Sequence, residues 1–470
     1  MSVVIVTVAV YMIILLGVGY WANKRIKEMD DFLLAGRRLG LLLTAGALAA
    51  THFGGGMVLG GGEDGFIYGL SGSWYGIACG IGLILLGFLT ASKFRTLAFY
   101  TVPDYLEYRY GGKTLRVLGA LLSVIAIIGI IAAQVIAARG ALEILGITGN
   151  TGAILATLIF IIYTALGGLW AATITDFIQV IIAGVGVIFG AILVLGDVGG
   201  FSGLQEMIES SRGAMENGYY SIWGRGGTAI LWLSLPTIMY TLIGQDFYQR
   251  LLAAKDEITA RKASFVGGVF LIIMSVFPAI MGMGARGYFP EMTDGEAAVP
   301  QMIEEIFPLG IGAIILAALL AAIMSTADSL LTAGTTHIIN DLWLKIREKE
   351  VEVDYQEGKM LFVSRVTTVV LGLLALIIAL QVPTIIDALI YSYTMYTAGV
   401  FVPVIGGVIW KKATREGALT ALILGSIIAL YGVITGAQIW SIPVEVYSAF
   451  ISLVLFVTVS LLTYKEDFGG

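Results

Sequence analysis

Residues Met324-Ser325-Thr326-Ala327-Asp328-Ser329, followed by Thr332, Thr335 and Thr336, place hydroxyls and one carboxylate inside an otherwise apolar stretch. Ser325, Asp328, Ser329 and Thr332 recur at three- and four-residue spacing, so on a helix they share a face. A hard cation takes oxygen ligands: hydroxyls, a carboxylate and unwound backbone carbonyls. The chain offers such carbonyls at a second place. Between Leu41 and Tyr68 an apolar run is interrupted by Ala49-Ala50-Thr51-His52-Phe53-Gly54-Gly55-Gly56, and Gly60-Gly61-Gly62 precede the acid pair Glu63-Asp64. In hydrocarbon, backbone groups released from a helix are tolerated only where they face protein or line a polar cavity. The break therefore predicts a binding site at membrane depth, which is a transporter's feature. Carbonyls from residues 50–53 and the hydroxyls of Ser325 and Thr326 form a candidate sodium site. The plainer alternative is that these hydroxyls bond back to their own helix and aid packing. Asp328 is costly within a span, so it is read as part of a second cation or proton site.

Other polar residues fall at similar depth. Tyr163-Thr164-Ala165-Leu166-Gly167-Gly168-Leu169-Trp170-Ala171 precedes Thr175-Asp176 and Gln179. Asp176 is either an acid favoured by a helix N-terminus or a ligand on the path of a released ion. His52 is either a neutral hydrogen-bond partner of a solute or a packing residue satisfied by a backbone carbonyl. Gln134 and Gln245 are amides that hold helices together or bind a solute, and Gln245 beside Gly244 is the better ligand candidate. Tyr240, Tyr391, Tyr393 and Tyr396 either wall a cavity or pack. The expected solute contacts are Thr51, His52, Gly55, Gln134, Tyr240, Gly244 and Gln245.

The elements that must position these groups follow from composition. Of 470 residues, 58% are hydrophobic and 13% charged, and the mean hydropathy is +0.92. Such a chain is an all-α polytopic membrane protein whose partner is the lipid bilayer. The single cysteine, Cys79, excludes an intrachain disulfide framework. Apolar runs predict thirteen transmembrane helices, at 3–21, 41–70, 74–92, 117–145, 149–169, 174–196, 227–248, 262–285, 309–337, 361–381, 384–410, 417–437 and 444–463. The first segment lacks a basic n-region and a small-residue cleavage site and is expected to be retained. With the N-terminus outside, 23 of the 27 Lys and Arg residues fall in inner connections or the tail, which orients the N-terminus outward and the C-terminus inward. Arg250 is counted among those inner cations. Segment 227–248 is interrupted as well, by Pro236 and by Gly244-Gln245-Asp246. Two interrupted segments, each heading five spans, predict a five-plus-five inverted repeat. One transport domain spans 1–470: an extra N-terminal helix (3–21), a first repeat (41–196), an inverted second repeat (227–410) and two peripheral helices (417–463).

Three motifs carry a resemblance over essentially the whole chain. They are Asp31-Phe32-Leu33-Leu34-Ala35-Gly36-Arg37-Arg38-Leu39-Gly40, residues 163–171 with Thr175-Asp176, and Met324-Ser325-Thr326-Ala327-Asp328-Ser329. In these the chain resembles the sodium:solute symporter family, whose fold is of the leucine-transporter type. The resemblance implies a sodium site of backbone oxygens from Ala50, Phe53 and Ala322 with the hydroxyls of Ser325 and Thr326. It implies for some members a further sodium held at the Asp176 position and near Ser325, Asp328 and Ser329. Residues 51–56 and 245–250 look like the choline-transporter-like branch more than the proline or pantothenate symporters. That branch has tryptophans where His52 and Gly244 stand, so the solute does not carry over.

The expected function is a sodium-coupled symporter importing a small polar organic solute by alternating access. It is expected in a prokaryotic plasma membrane, with sodium as coupling ion and no other cofactor. A proton-coupled carrier of the same fold is the alternative, followed by a transporter-derived sensor or channel. No nucleotide-binding Gly-x-x-x-x-Gly-Lys-Ser/Thr loop or His-Glu-x-x-His zinc motif is present, so neither an ATP motor nor an enzyme is expected, nor a nucleic-acid partner.

Overall fold

The computed structural model describes residues 2–465 apart from 214, 216, 217, 348–356, 383, 384, 438 and 441. Among the described residues every regular element is a helix and no strand forms. That is the expected answer for an apolar chain, because a helix satisfies its backbone groups within its own segment. The helices that matter for the site are α1 (Ser2–Asn23), α2 (Leu41–His52), α3 (Gly61–Tyr68), α4 (Trp74–Leu86), α5 (Val102–Tyr110), α6 (Lys113–Glu143), α7 (Asn150–Asp197), α8 (Gly227–Thr241), α9 (Gln245–Ala253), α10 (Glu257–Met274), α11 (Val276–Tyr288), α12 (Leu309–Thr336), α13 (Glu357–Ala379), α14 (Ile385–Ile409), α15 (Arg415–Thr435) and α16 (Val444–Thr463).

Among the described residues nine helical stretches are long and apolar enough to cross a bilayer, or ten when α8 and α9 count as one bent span. The expected thirteen segments divide the chain more finely than this count. The segments 149–169 and 174–196 fall in the single 48-residue α7, roughly 70 Å of helix at 1.5 Å per residue, far more than one crossing needs. Gly168 breaks it, with φ 49° and ψ −148°. The first broken segment resolves into α2, which ends at His52, a π-helical turn over Gly56–Gly60, and α3. The second bends by 47° between α8 and α9.

Burial separates hub from rim. In the most apolar window of the stretch containing α12, 78% is buried, and in that of α6, 72%; for α16 and the stretch containing α13 the figure is 33%. The polar face of α12 explains the difference, since its hydroxyls and carboxylate must be kept from lipid. Around it stand α6 and α7, while α2 rests on α7 and α10, and α9 on α2 and α12. Toward the end of α12, Arg116 lies 2.7 Å from Asp341 and 2.9 Å from Glu107 and also pairs with Asp104, while His337 lies 2.7 Å from Asp341. Arg116 is therefore a buried partner of α5 and not a free loop cation.

Gly168 is a position where only glycine fits. Its dihedral pair belongs to the region other residues avoid, at a cost of about 1–3 kcal/mol. A Cβ there would also come within 2.6 Å of the Phe32 carbonyl oxygen. Gly168→Ala is expected to lower the melting temperature of the purified protein in detergent. Melting at the wild-type temperature would show that the kink carries no such constraint.

Candidate ion and solute site

The two breaks are accommodated by side chains from other helices. At the first, the Ser325 hydroxyl donates toward the carbonyls of Ala50, at 3.1 Å, and Ala322, at 2.9 Å. The Thr326 hydroxyl stands 3.2 Å from the Thr51 carbonyl and 3.4 Å from that of Ala322. At the second break, Tyr248 donates to the Leu242 carbonyl at 3.0 Å and Tyr396 to the Ile243 carbonyl at 2.7 Å. Neither break leaves these carbonyls bare, as a low-dielectric interior requires. Close approach at the first break needs Gly54, where a Cβ would fall 2.1 Å from the Thr326 hydroxyl oxygen.

Of the expected sodium ligands, Ala50, Ala322, Ser325 and Thr326 converge, and Thr51 joins them through its carbonyl. Phe53 is buried with its ring 5.9 Å from that of Phe270, and its peptide leads into Gly54 beside Thr326. The donors are neutral oxygens from two facing helices, which suits a hard monovalent cation. Among the described residues no group of three or more His, Cys, Asp or Glu could hold a metal ion.

Asp176, Asp328 and Ser329 also come together, but around a residue read from sequence as an inner-loop cation. Arg250 is fully buried and its guanidinium lies 2.9 Å from the Asp176 carboxylate. The same nitrogen donates to the Ser329 hydroxyl, while the other terminal nitrogen donates to the Asp246 carbonyl at 3.0 Å. Asp328 accepts from the Tyr163 hydroxyl at 2.6 Å and from Thr175 at 3.4 Å. Ser329 in turn donates to the Ser325 carbonyl at 2.6 Å and lies 3.4 Å from the Thr51 hydroxyl. Asp176 is thus not a solvated helix-start acid. It sits past the Gly168 kink, wholly buried, opposite a fixed positive charge.

A cavity of about 90 Å³ lies against the ion ligands and is lined by Thr51, His52, Gly54, Gln134, Tyr240 and Thr326, among others. His52 packs its ring 4.3 Å from that of Phe247 and stands 2.8 Å from the Thr241 hydroxyl. That hydroxyl donates to the Thr237 carbonyl, so the His52 Nε2–H is the donor in the contact. The partner is a hydroxyl of the second broken helix, not the backbone carbonyl of the packing alternative. Gln134 is buried with its carbonyl oxygen unpartnered. Gly55 lines a neighbouring cavity of about 480 Å³ together with Glu63 and Asp64, and the two cavities share Gly56 and Tyr75. Gln245 does not reach the solute cavity: its amide is spent on the Tyr100 carbonyl at 2.9 Å and the Val102 N–H at 3.0 Å. Gly244 lies at the start of α9, outside the lining. Tyr393 lines the cavity and Tyr396 does not; the side chain of Tyr391 lies outside the described residues. Asp246, Phe247, Tyr75 and Thr237 complete the walls and were missed from sequence. Asp246 carried a signal, as an acid inside an apolar segment.

Two broken helices, a cluster of oxygen ligands between the first of them and α12, and an adjoining polar cavity define an ion-coupled membrane carrier. The chain belongs to the sodium:solute symporter family, whose sequence profile matches residues 32–425. It is 25% identical to the sodium/proline symporter of Escherichia coli (strain K12) over 475 residues, covering 94% of this chain and 92% of the relative. It is 26% identical to the high-affinity choline transporter 1 of Caenorhabditis elegans over 490 residues, covering 93% and 79%. These similar identities do not separate the choline-like branch from the proline one. In structure the chain is similar to a sodium-coupled sialic acid symporter in its substrate-bound outward-open state, with a TM-score of 0.84, 18% identity and coverage of 100% and 99%. The fold is thus that of leucine-transporter-type carriers, all-helical with about nine to ten apolar spans among the described residues.

Removing one partner of a buried ion pair costs about 3–5 kcal/mol, because the other charge is left uncompensated. Arg250→Met is therefore expected to lower the melting temperature sharply, and adding Asp176→Asn to recover much of the loss. Equal melting of the single and double variants would rule out the pair as the source.

Proposed function

We propose that the protein imports a small polar organic solute together with sodium by alternating access. The observation that carries the reading is the Ser325 hydroxyl standing between the carbonyls of Ala50 and Ala322, one on each of two facing helices. A sodium ion held by Ala50, Phe53, Ala322, Ser325 and Thr326 would tie the broken α2 to α12. Thr51, Gly54 and Thr326 border both the ion ligands and the solute cavity, so ion binding would order one wall of the solute site. Coupling needs that differential effect, since a ligand shifts a conformational equilibrium only by its difference in affinity for the states.

The magnitudes suffice. One charge crossing about 100 mV supplies about 2.3 kcal/mol, and a roughly tenfold sodium gradient adds about 1.4 kcal/mol. Together they support about 500-fold solute accumulation. Asp176 pairs with Arg250, while Asp328, held by Tyr163 and Ser329, forms no ion pair among the described residues, and that second carboxylate supports a second monovalent cation site there, filled by sodium or a proton. The arrangement we favour has thirteen transmembrane helices, with inverted repeats over 41–196 and 227–410. In it the N-terminus is outside, the C-terminus is inside and the protein lies in the plasma membrane.

In proteoliposomes, uptake of pooled labelled amino acids, amines and carboxylates should require an inward sodium gradient. Ser325→Ala with Thr326→Ala should raise the sodium concentration for half-maximal uptake at least tenfold. Uptake driven equally by a proton gradient without sodium, and untouched by the double variant, would replace this reading with the proton-coupled one. His52→Ala should weaken solute affinity more than sodium affinity, and the reverse order would remove His52 from the solute site.

A further inference from the structure

The solute cavity holds a carboxylate that forms no ion pair among the described residues. Asp246 lines it and is only 3% exposed. Among the described residues no Lys or Arg nitrogen comes within the 4.0 Å of an ion pair with its side chain. Among the described residues its one side-chain hydrogen-bond partner is the Tyr240 hydroxyl, 3.3 Å from Oδ1, and the backbone N–H groups of Asp246 and Phe247 also bear on it. Arg250, one turn further along α9, reaches only the backbone carbonyl of Asp246, because its other terminal nitrogen is held by Asp176 and Ser329. Asp246 stands in the first turn of α9, and the helix dipole favours an acid there by about 0.3–1 kcal/mol. Taking a carboxylate out of water costs several kcal/mol, so the dipole alone does not account for it.

The rest of the lining is complementary to a donor with positive charge. Among the described residues no Lys or Arg side chain lines the cavity. The Gln134 carbonyl oxygen is buried without a partner. The hydroxyl protons of Thr51 and Thr237 are spent on carbonyls of their own helices, which leaves lone pairs. Aromatic side chains line the same space, Tyr75, Tyr240, Phe247 and Tyr393, with the Tyr240 ring 5.9 Å from that of Tyr393 and edge-on to that of Phe247 at 6.1 Å. A cation within about 6 Å of such faces is attracted by their quadrupoles.

We infer that the transported solute carries an organic ammonium group, held by the Asp246 carboxylate and the Gln134 carbonyl oxygen among the rings of Tyr240, Tyr393 and Phe247. This deepens the symporter reading and rests on it. The cavity of about 90 Å³ takes the ammonium head, and the adjoining space of about 480 Å³ takes the remainder of a longer solute. Neutral sugars leave the carboxylate unpaired, and anions are repelled by it.

The test is thermal stabilisation of the purified full chain in detergent by choline, ethanolamine, L-proline, glucose or acetate, each with and without sodium. Ammonium-bearing compounds are expected to stabilise the wild type in sodium, and glucose and acetate are not. Stabilisation by choline or ethanolamine identifies a net cation as the solute, and stabilisation by proline alone a zwitterion; either outcome supports the proposal. Asp246→Asn should weaken ammonium binding roughly 10- to 100-fold, the loss of one charged partner. Asp246→Glu should keep the preference with lower affinity. Stabilisation by glucose or acetate in place of the ammonium compounds, or by none of the five, overturns the inference. So does an Asp246→Asn protein that keeps ammonium affinity but needs more sodium, since the carboxylate would then serve the ion. Should Asp246→Asn not fold, the wild-type selectivity still decides. The shift caused by sodium alone in the wild type reports the ion site separately: its absence would count against sodium coupling, and its presence without ammonium selectivity against this inference only.

Discussion

A helix broken inside an apolar slab must hand its freed carbonyls to another element, and much of this architecture answers that demand. At the first break Ser325 and Thr326 supply hydroxyls to the carbonyls of residues 50 and 51. At the second, Tyr248 and Tyr396 do the same for residues 242 and 243. Because the hydroxyls for the first break lie on α12, that helix cannot face lipid. It becomes the most buried of the long apolar stretches among the described residues, and α6, α7 and α9 are arranged around it. The groups that repair the break are also the groups that would hold an ion, so the structural requirement and the ion site are the same set of atoms.

The second organising interaction is the ion pair of Arg250 and Asp176. It joins α9 to α7, and through Ser329 it joins both to α12. Separating a desolvated pair leaves a charge without compensation, so these three elements resist relative displacement at that point. The solute cavity lies one turn away on α9, and its acid, Asp246, is left unpaired because Arg250 is already committed. The candidate ion site, the buried pair and the candidate solute cavity thus form one continuous polar seam through an apolar body.

Much of this seam was legible in the sequence, for reasons of cost. Hydroxyls and a carboxylate on one face of an apolar helix, or triple glycine in the middle of another, are expensive in lipid and stand out against the composition. Ser325, Thr326, Thr51 and His52 were legible on that basis, as was the break after His52. Gln245 misled, because a buried amide beside a helix break serves equally well to cap a neighbouring loop, and here it holds the backbone of residues 100–102. Arg250 misled because a basic residue near the end of an apolar run reads as a loop cation. Asp246 was visible as an acid but not as a cavity wall.

The sequence by itself determined the class of protein, its all-helical build, the places where two apolar segments break and the oxygen-rich face of α12, because each follows from local composition and spacing. Only the tertiary structure decided which carbonyl meets which hydroxyl, that Arg250 folds inward onto Asp176, and that Asp246 faces a cavity without an ion-pair partner among the described residues. Those facts depend on the crossing of helices far apart in the chain, such as α2 with α12 and α9 with α7. Spacing along one helix fixes a face but not the partner that the face will meet.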